Sequence, residues 1–223
     1  MRKIHETIEI VRRKLFDSDE KMKFDGIELM KLRGAEPVNY SSIMLVDWIE
    51  KYYSQSAKPR SILDICCGIG TIGLSLERRL RPESVDFADI NPKNIESVKL
   101  NVKQLLATGE NLFTSIVSES DGLSSVKQRK YDLIVSNPPH FLSGGPDKAQ
   151  VDDELKFHEN FFREVNDYLA PRGRIFFIET DEEIPGVLLE AMIRKNKALK
   201  FRGIERLDHK FYYILKIGLK KER

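Results

Sequence analysis

Residues 61–73 read SILDICCGIGTIG, and this stretch decides the fold. Its apolar start predicts a buried strand over 61–66, and the glycines that follow predict a tight loop leading into a helix over 71–80. Gly68 and Gly70 allow a sharp turn and let a ligand lie against bare backbone, while Gly73 permits close packing of the helix. A strand, a glycine loop and a helix in this order are typical of an open α/β sheet that binds a ligand at its edge.

Strand and helix patterns alternate regularly from residue 60 onward. The predicted strands are 61–66, 84–90, 112–117, 131–136, 174–179, 199–207 and 211–219, and the predicted helices are 71–80, 91–107, 152–169 and 184–195. The short link between the last two strands favours an antiparallel pair. The expected fold class is therefore α/β, with a doubly wound, mainly parallel seven-stranded sheet and an antiparallel C-terminal hairpin.

The chain of 223 residues is expected to form one domain over 59–223, preceded by a short, largely helical extension over 1–58. Helical apolar spacing over 4–16 predicts a first helix in this extension. Asp25-Gly26 predicts the turn of a short hairpin. Ser41-Ser42 is expected to cap a helix that follows.

The second informative stretch is Asn137-Pro138-Pro139-His140, which directly follows the apolar run 131–136. Prolines restrict the backbone, so carbonyl groups here can be held pointing outward from the sheet edge. The side-chain carbonyl of Asn137 beside a fixed backbone carbonyl gives two acceptors that face one point. Such a pair can hold an N–H₂ group and leave the nitrogen lone pair free to attack. A simple turn is the alternative, because Asn-Pro often marks one.

Two acids accompany the glycine loop. Asp89 ends the second strand of the sheet, where its carboxylate can accept hydrogen bonds from both hydroxyls of a ribose. The glycine spacing also fits the dinucleotide fingerprint, so a nicotinamide-dependent oxidoreductase remains an alternative. Asp64 argues against it, since a carboxylate beside the loop suits the ammonium of a methionine-like tail and disfavours a pyrophosphate.

Taken together, residues 60–220 resemble a class I S-adenosylmethionine-dependent methyltransferase. Asp64 with Gly68 and Gly70 matches the cofactor loop, Asp89 matches the ribose-binding acid, and Ser120-Asp121-Gly122 matches the loop that borders the adenine. The tetrapeptide 137–140 resembles the Asn-Pro-Pro-aromatic signature of amino methyltransferases, which modify exocyclic nucleobase nitrogens or a protein glutamine amide. The chain departs from that signature at His140, where the family usually carries Tyr or Phe.

The resemblance implies S-adenosyl-L-methionine as cofactor and methyl transfer to nitrogen as the reaction. The catalytic residues that it implies are Asn137, Pro138, Pro139 and His140. The cofactor-binding residues that it implies are Asp64, Cys66, Gly68, Gly70, Asp89, Ile90, Asp121, Gly122 and Asn137. Residues 34–40 stand where relatives carry a segment that covers the cofactor, and we interpret them as an equivalent lid. Asn39 and Tyr40 also fit simple capping and packing roles.

The charge and the apolar content of the chain limit the kinds of partner that we expect. Net charge is +2, from 37 basic and 35 acidic residues, so no global field demands a nucleic acid. The methyl acceptor is expected to be a protein glutamine, a nucleobase or a small molecule, and the alternative function is a non-catalytic cofactor-binding partner or RNA-binding module. No apolar run reaches membrane-spanning length, and the first residues of the sequence lack the apolar stretch of a secretion signal, which predicts a cytoplasmic protein. The adjacent Cys66 and Cys67 point to opposite faces, so no metal site is expected.

Overall fold

A seven-stranded sheet carries the fold of the protein. The structure is a computed structural model that describes residues 17–109, 113–139, 155–182, 184–207 and 212–221. Within these ranges the strands are β1 (Glu20–Phe24), β2 (Ile27–Lys31), β3 (Ser61–Ile65), β4 (Ser84–Asp89), β5 (Val117–Glu119), β6 (Tyr131–Ser136), β7 (Leu169–Thr180), β8 (Leu199–Arg206) and β9 (Tyr212–Leu219). The helices are α1 (Tyr40–Tyr53), α2 (Thr71–Leu80), α3 (Pro92–Ala107), α4 (Lys156–Glu164) and α5 (Gly186–Lys195).

The large sheet has the strand order β5–β4–β3–β6–β7–β9–β8. Neighbours from β5 to β7 run parallel, and β9 runs antiparallel to both β7 and β8. One apolar core contains side chains of α1, α2 and α3, and a second contains side chains of α4 and α5. The predicted doubly wound α/β fold is therefore confirmed. No helix in the described part of the chain is long and apolar enough to cross a bilayer.

Two predicted boundaries on the sheet are wrong. The third strand begins at Val117 rather than 112, and only an isolated bridge between Ser84 and Thr114 precedes it. The helix predicted to run to 169 ends at Glu164, a short 3-10 helix follows over Val165–Asp167, and β7 begins at Leu169. Proline is typical of a position just after a helix, but here the β6–β7 register jumps from Leu169 to Arg174, and this bulge accommodates Pro171 within the strand.

The described part of the extension contains a hairpin and a helix, and the helix predicted over 4–16 lies outside the described residues. Asp25 and Gly26 both have positive φ, 50° and 72°, as a two-residue hairpin turn requires. The predicted hairpin is therefore confirmed. The cap of α1 is Asn39 rather than Ser41-Ser42, because the Asn39 side chain accepts the Ser41 N–H.

Arg79 on α2 fastens the hairpin and α1 to the sheet domain. Its guanidinium makes two hydrogen bonds with the Asp25 carboxylate, at 2.8 Å and 2.6 Å, and further bonds with Asp47 and Glu50 of α1. The Arg79 and Asp25 side chains are only 17% and 16% exposed. A partly buried, bidentate ion pair of this kind is much more costly to break than a solvated one.

Arg79→Ala should lower the free energy of unfolding by about 2 kcal/mol, because it leaves the Asp25 carboxylate largely buried without its donors. Urea unfolding followed by circular dichroism measures the change. Arg60→Ala is the matched control, since two nitrogens of Arg60 also donate to one carboxylate, that of Glu83. In this pair, however, both side chains are largely exposed. Equal midpoints for the two variants would contradict the role given to Arg79.

Candidate active site at the carboxyl edge of the sheet

The candidate site forms where β3, β4 and β6 end side by side. Ile65 of β3 pairs with Ala88 of β4 and with Ser136 of β6. The residues that follow, Cys66, Asp89 and Asn137, therefore leave three neighbouring strands at the same level. A side-chain hydrogen bond also joins β6 to β3 at this edge, because the Ser136 hydroxyl donates to the Ile65 carbonyl at 2.7 Å. The register of the sheet therefore brings together the glycine loop, Asp89 and the Asn-Pro-Pro segment.

The glycine loop after β3 is open on one side and packed on the other. Gly68 has φ +54°, and a Cβ built there would meet no atom within 4 Å. Gly70 has φ +86° and begins α2, where a Cβ would meet Leu74, Phe87 and Val98 at 3.2–3.4 Å. At Gly73 a Cβ would lie 2.4 Å from the Phe87 ring, which accounts for the close approach of α2 to the sheet. Gly68 therefore presents bare backbone to open space.

Asp89 is held at the end of β4 by three N–H groups. Its carboxylate accepts hydrogen bonds from the Gly68 amide at 2.8 Å, the Asn91 amide at 2.9 Å and the Asn94 side chain at 3.0 Å. Asp89 is 7% exposed. Burial raises the pKa of this carboxyl, and these three donors together with the Ile90 amide oppose that shift. The acid thus faces the loop with a fixed orientation.

Asp64 lies beneath the loop instead of at its mouth. One carboxylate oxygen accepts the Gly73 N–H at 2.8 Å, and the other is buried without a hydrogen-bond partner in the described structure. The side chain is fully buried, and this burial raises its pKa to about 8. An unpartnered buried oxygen next to the loop is a place where a cation or a donor would be stabilised.

Asn137 contacts the start of α1. Its side-chain nitrogen donates to the Ser41 hydroxyl at 2.9 Å and to the Ser42 hydroxyl at 3.2 Å. This orientation turns the amide nitrogen toward the extension and the carbonyl oxygen away from the two hydroxyls. Pro138 is buried and Pro139 half-buried, whereas His140 lies outside the described residues.

The loop after β5 borders the same edge. The Ser120 amide donates to the Asp89 carbonyl, and the Ser120 hydroxyl donates to the Gly122 carbonyl, both at 2.9 Å. Asp121 is exposed on the resulting turn, and Ile90 projects nearby with 57% of its side chain exposed. Asp121, Gly122 and Ile90 are therefore gathered with Asp89, as the sequence predicts.

Several residues of this edge escape sequence reasoning. Ser41 and Ser42 were interpreted as helix caps, and no local signal places them against a residue more than ninety positions away in the chain. Asn94 was not singled out at all. The one available signal was the polar spacing 94, 97, 101 and 104 along a helix that must bury one face.

Comparison with known proteins gives the family. The family model for the methyltransferase small domain matches residues 34–203. A tRNA1(Val) (adenine(37)-N6)-methyltransferase of Porphyromonas gingivalis is 27% identical over 164 residues, covering 68% of this chain and 62% of that protein. A release factor glutamine methyltransferase of Borreliella burgdorferi is 31% identical over 129 residues, covering 52% of this chain and 43% of that protein. The chain thus spans about half the length of the curated relatives it matches.

Solved structures show the same fold. A T. thermophilus 16S rRNA N2 methyltransferase in complex with AdoMet and guanosine superimposes with a TM-score of 0.64 at 19% identity, covering 91% of this chain and 50% of that one. An E. cuniculi complex responsible for methylation of the eRF1 translation termination factor gives 0.57 at 16% identity, covering 82% of this chain and 98% of that one. The order of strands, the matched region of 34–203 and these relatives together establish that the chain belongs to the methyltransferase small domain family, within the class I S-adenosylmethionine-dependent methyltransferases.

Proposed function

We propose that this chain transfers a methyl group from S-adenosylmethionine to an amide or exocyclic amino nitrogen. The observation that carries the proposal is the meeting of the glycine loop, Asp89 and Asn137 at one edge of the sheet, with the Asn137 amide held by two hydroxyls from α1. A nicotinamide enzyme has no need of an Asn-Pro-Pro segment at this position.

The residues present fit this cofactor. Open space beside Gly68 leaves room for a ligand against the backbone, and the unpartnered oxygen of Asp64 suits the ammonium of a methionine-like tail. Asp89 would accept the ribose hydroxyls, while Ile90 and Asp121 would border the adenine, with Cys66 and Gly122 lining the same edge. When bound, the cofactor supplies a methyl group on a sulfonium, which is its own leaving group. The remaining task of the protein is alignment and the exclusion of water.

Asn137 would orient the acceptor nitrogen. In this role the side-chain carbonyl oxygen of Asn137 accepts a hydrogen bond from an amino group of the acceptor, while the amide nitrogen donates to the Ser41 and Ser42 hydroxyls. The Pro138 carbonyl would accept from the second hydrogen of that amino group, and Pro139 would keep this backbone in place. His140 would flank the plane of the acceptor in place of the usual aromatic residue. Together these contacts direct the nitrogen lone pair toward the methyl group.

The acceptor is proposed to be a planar amino group on an sp² carbon. The relatives named above act on a tRNA adenine and on a release factor glutamine, and both of these groups have that geometry. A net charge of +2 gives the chain no general attraction for RNA, which favours a protein acceptor or recognition assisted by a partner. An RNA acceptor would instead bind with an affinity that falls steeply with salt.

Cell lysate incubated with the protein and methyl-labelled S-adenosylmethionine tests the function. Label should enter one of the protein, RNA, DNA or small-molecule fractions, and acid hydrolysis of that fraction should release labelled methylamine from an N-methylated amide, or a labelled N-methylated base. Cofactor binding without transfer into any fraction would overturn the enzymatic proposal. Absence of binding would overturn the cofactor assignment as well.

Asn137→Ala should lower turnover on the order of 100-fold, because the acceptor nitrogen loses the contact that orients it. The dissociation constant for S-adenosylhomocysteine should stay within a few fold of the native value. Initial rates of label transfer at saturating cofactor and isothermal calorimetry measure the two effects. Near-native turnover in this variant would remove Asn137 from the mechanism.

The double change of Ser41→Ala and Ser42→Ala tests how the amide is held. It keeps Asn137 but removes the two hydroxyls that accept hydrogen bonds from its amide nitrogen, so turnover should fall to a level between the native protein and Asn137→Ala. Ser56→Ala is the matched control, since among the described residues the exposed Ser56 hydroxyl bonds the Tyr52 carbonyl of the same helix end and makes no bond to the site. It should leave turnover unchanged.

Cofactor binding should release a proton through Asp64. Because burial raises the pKa of this carboxyl to about 8, it is protonated at pH 6.5 in the free protein. A neighbouring ammonium favours the ionised form and lowers that pKa, so up to about one proton is released on binding. Calorimetry at pH 6.5 in two buffers of different ionisation enthalpy measures the release. Asp64→Asn should abolish it, whereas equal release in both proteins would exclude Asp64 as its source.

A further inference from the structure

The helix α3 uses one face to bind the backbone of the extension. Asn101 accepts the Met30 N–H at 2.6 Å and donates to the Met30 carbonyl at 3.0 Å, as a neighbouring strand would. Ser97 accepts the Leu32 N–H at 3.1 Å, and Asn94 accepts the Glu36 N–H at 2.8 Å. Gln104 and Asn91 add bonds to the carbonyls of Glu28 and Gly34. This set of side chains is called the polar face of α3.

The three central members of the polar face are buried, whereas Gln104 is exposed and Asn91 half-buried, so the fold depends mainly on the central bonds. Asn94, Ser97 and Asn101 are 2%, 0% and 2% exposed. A buried amide or hydroxyl without a partner costs more than the bond itself contributes. The segment 28–36 is therefore held against α3 as firmly as an additional strand.

Of the three buried members of this face, two also reach the cofactor site and one does not. The Asn94 side chain donates to the Asp89 carboxylate at 3.0 Å while it accepts from Glu36. The Asn101 side chain donates to the Ile69 carbonyl, inside the glycine loop, at 3.0 Å. Ser97 instead returns its proton to the Lys93 carbonyl of its own helix. The extension and the site thus share the two asparagine amides but not the serine.

Asn94 is the more consequential of the two. Within the described residues it is the one side chain that donates to the Asp89 carboxylate, since the Gly68 and Asn91 donors are backbone amides. A hydrogen bond to a nearly buried charge is stronger than one between neutral groups. The Asn94 amide cannot rotate to release Asp89 without also losing its bond to Glu36.

We propose that Asn94 is a positioning residue that couples the extension to the cofactor site, by bridging the Glu36 backbone and the Asp89 carboxylate. The inference rests on the proposed function in taking Asp89 and the glycine loop as the cofactor site. Asn101 supports the same coupling through the Ile69 carbonyl. A displacement of 28–36 then changes the orientation of Asp89, and a bound ribose in turn fixes 28–36.

Asn94→Ala should weaken the binding of S-adenosylhomocysteine about tenfold or more, because Asp89 loses its side-chain donor. Ser97→Ala is the matched control: it removes a buried bond from the same helix face to the same segment, but none to the site. Its dissociation constant should remain native even though its urea midpoint falls. Calorimetry on the full chain gives the dissociation constants, and equal losses in the two variants would overturn the proposal.

Asn94→Asp separates the two bonds of the bridge. A carboxylate keeps an acceptor for the Glu36 N–H but removes the donor to Asp89 and places a like charge beside it. This variant should hold the extension as the native protein does and bind S-adenosylhomocysteine more weakly than Asn94→Ala. Affinity equal to that of the native protein would overturn the proposal, and the variant remains informative if Asn94→Ala does not fold.

Hydrogen exchange supplies a readout that a purely structural role would leave unchanged. Saturation with S-adenosylhomocysteine should slow exchange of the Glu36 amide in the native protein and in Ser97→Ala, but not in Asn94→Ala, because the coupling is reciprocal. Equal protection in all three would overturn the proposal. A native protein that binds no S-adenosylhomocysteine fails differently, since it removes the proposed function along with the inference that rests on it.

Discussion

The nearly buried charge of Asp89 is the constraint on which the rest of the site depends. A carboxylate withdrawn from water must collect hydrogen bonds, or it takes up a proton. Its donors come from three separate pieces of chain: the glycine loop through Gly68, the turn through Asn91 and the helix α3 through Asn94. The loop after β5 adds a fourth connection through the Asp89 carbonyl. The hydrogen bonds that Asp89 makes therefore fix four segments of the chain relative to one another.

The parallel sheet contributes a second constraint, which is that three neighbouring strands end at the same level. Because Ile65, Ala88 and Ser136 stand abreast, the chemically useful residues that follow them emerge abreast as well. The sheet alone leaves the Asn137 amide without a defined rotation. The α1 hydroxyls supply it, so the geometry of the edge is completed by residues that precede the sheet in the chain.

The sequence predicts the parts of this arrangement that are written locally. The glycine loop, the acid at the end of β4 and the Asn-Pro-Pro segment are short motifs next to apolar runs, and the strand pattern fixes their order in space. The hairpin turn at Asp25-Gly26 is equally local, since both residues tolerate positive φ. These features are found where the motifs indicate.

Contacts between distant segments are the part that periodicity does not reveal. Ser41 and Ser42 look like ordinary helix caps, because a capping residue and a serine that binds a remote amide have the same local appearance. Pro171 looks like a helix stop, because the bulge that tolerates it depends on the register of β6 with β7. Asn94 looks like a surface residue, because the polar spacing 94, 97, 101 and 104 does not by itself show that a backbone segment covers that face.

The polar face of α3 has a consequence for how such a protein can diversify. Its side chains bind the main chain of 28–36, so these bonds do not depend on which side chains the segment carries, whereas an insertion or deletion would shift them out of register. Residues 17–58 and the sheet cannot be exchanged between homologues as independent modules unless the spacing is kept. New acceptor preferences would then evolve through changes in the exposed side chains of the hairpin and α1. The length of the backbone that carries them would stay fixed by its hydrogen bonds to α3.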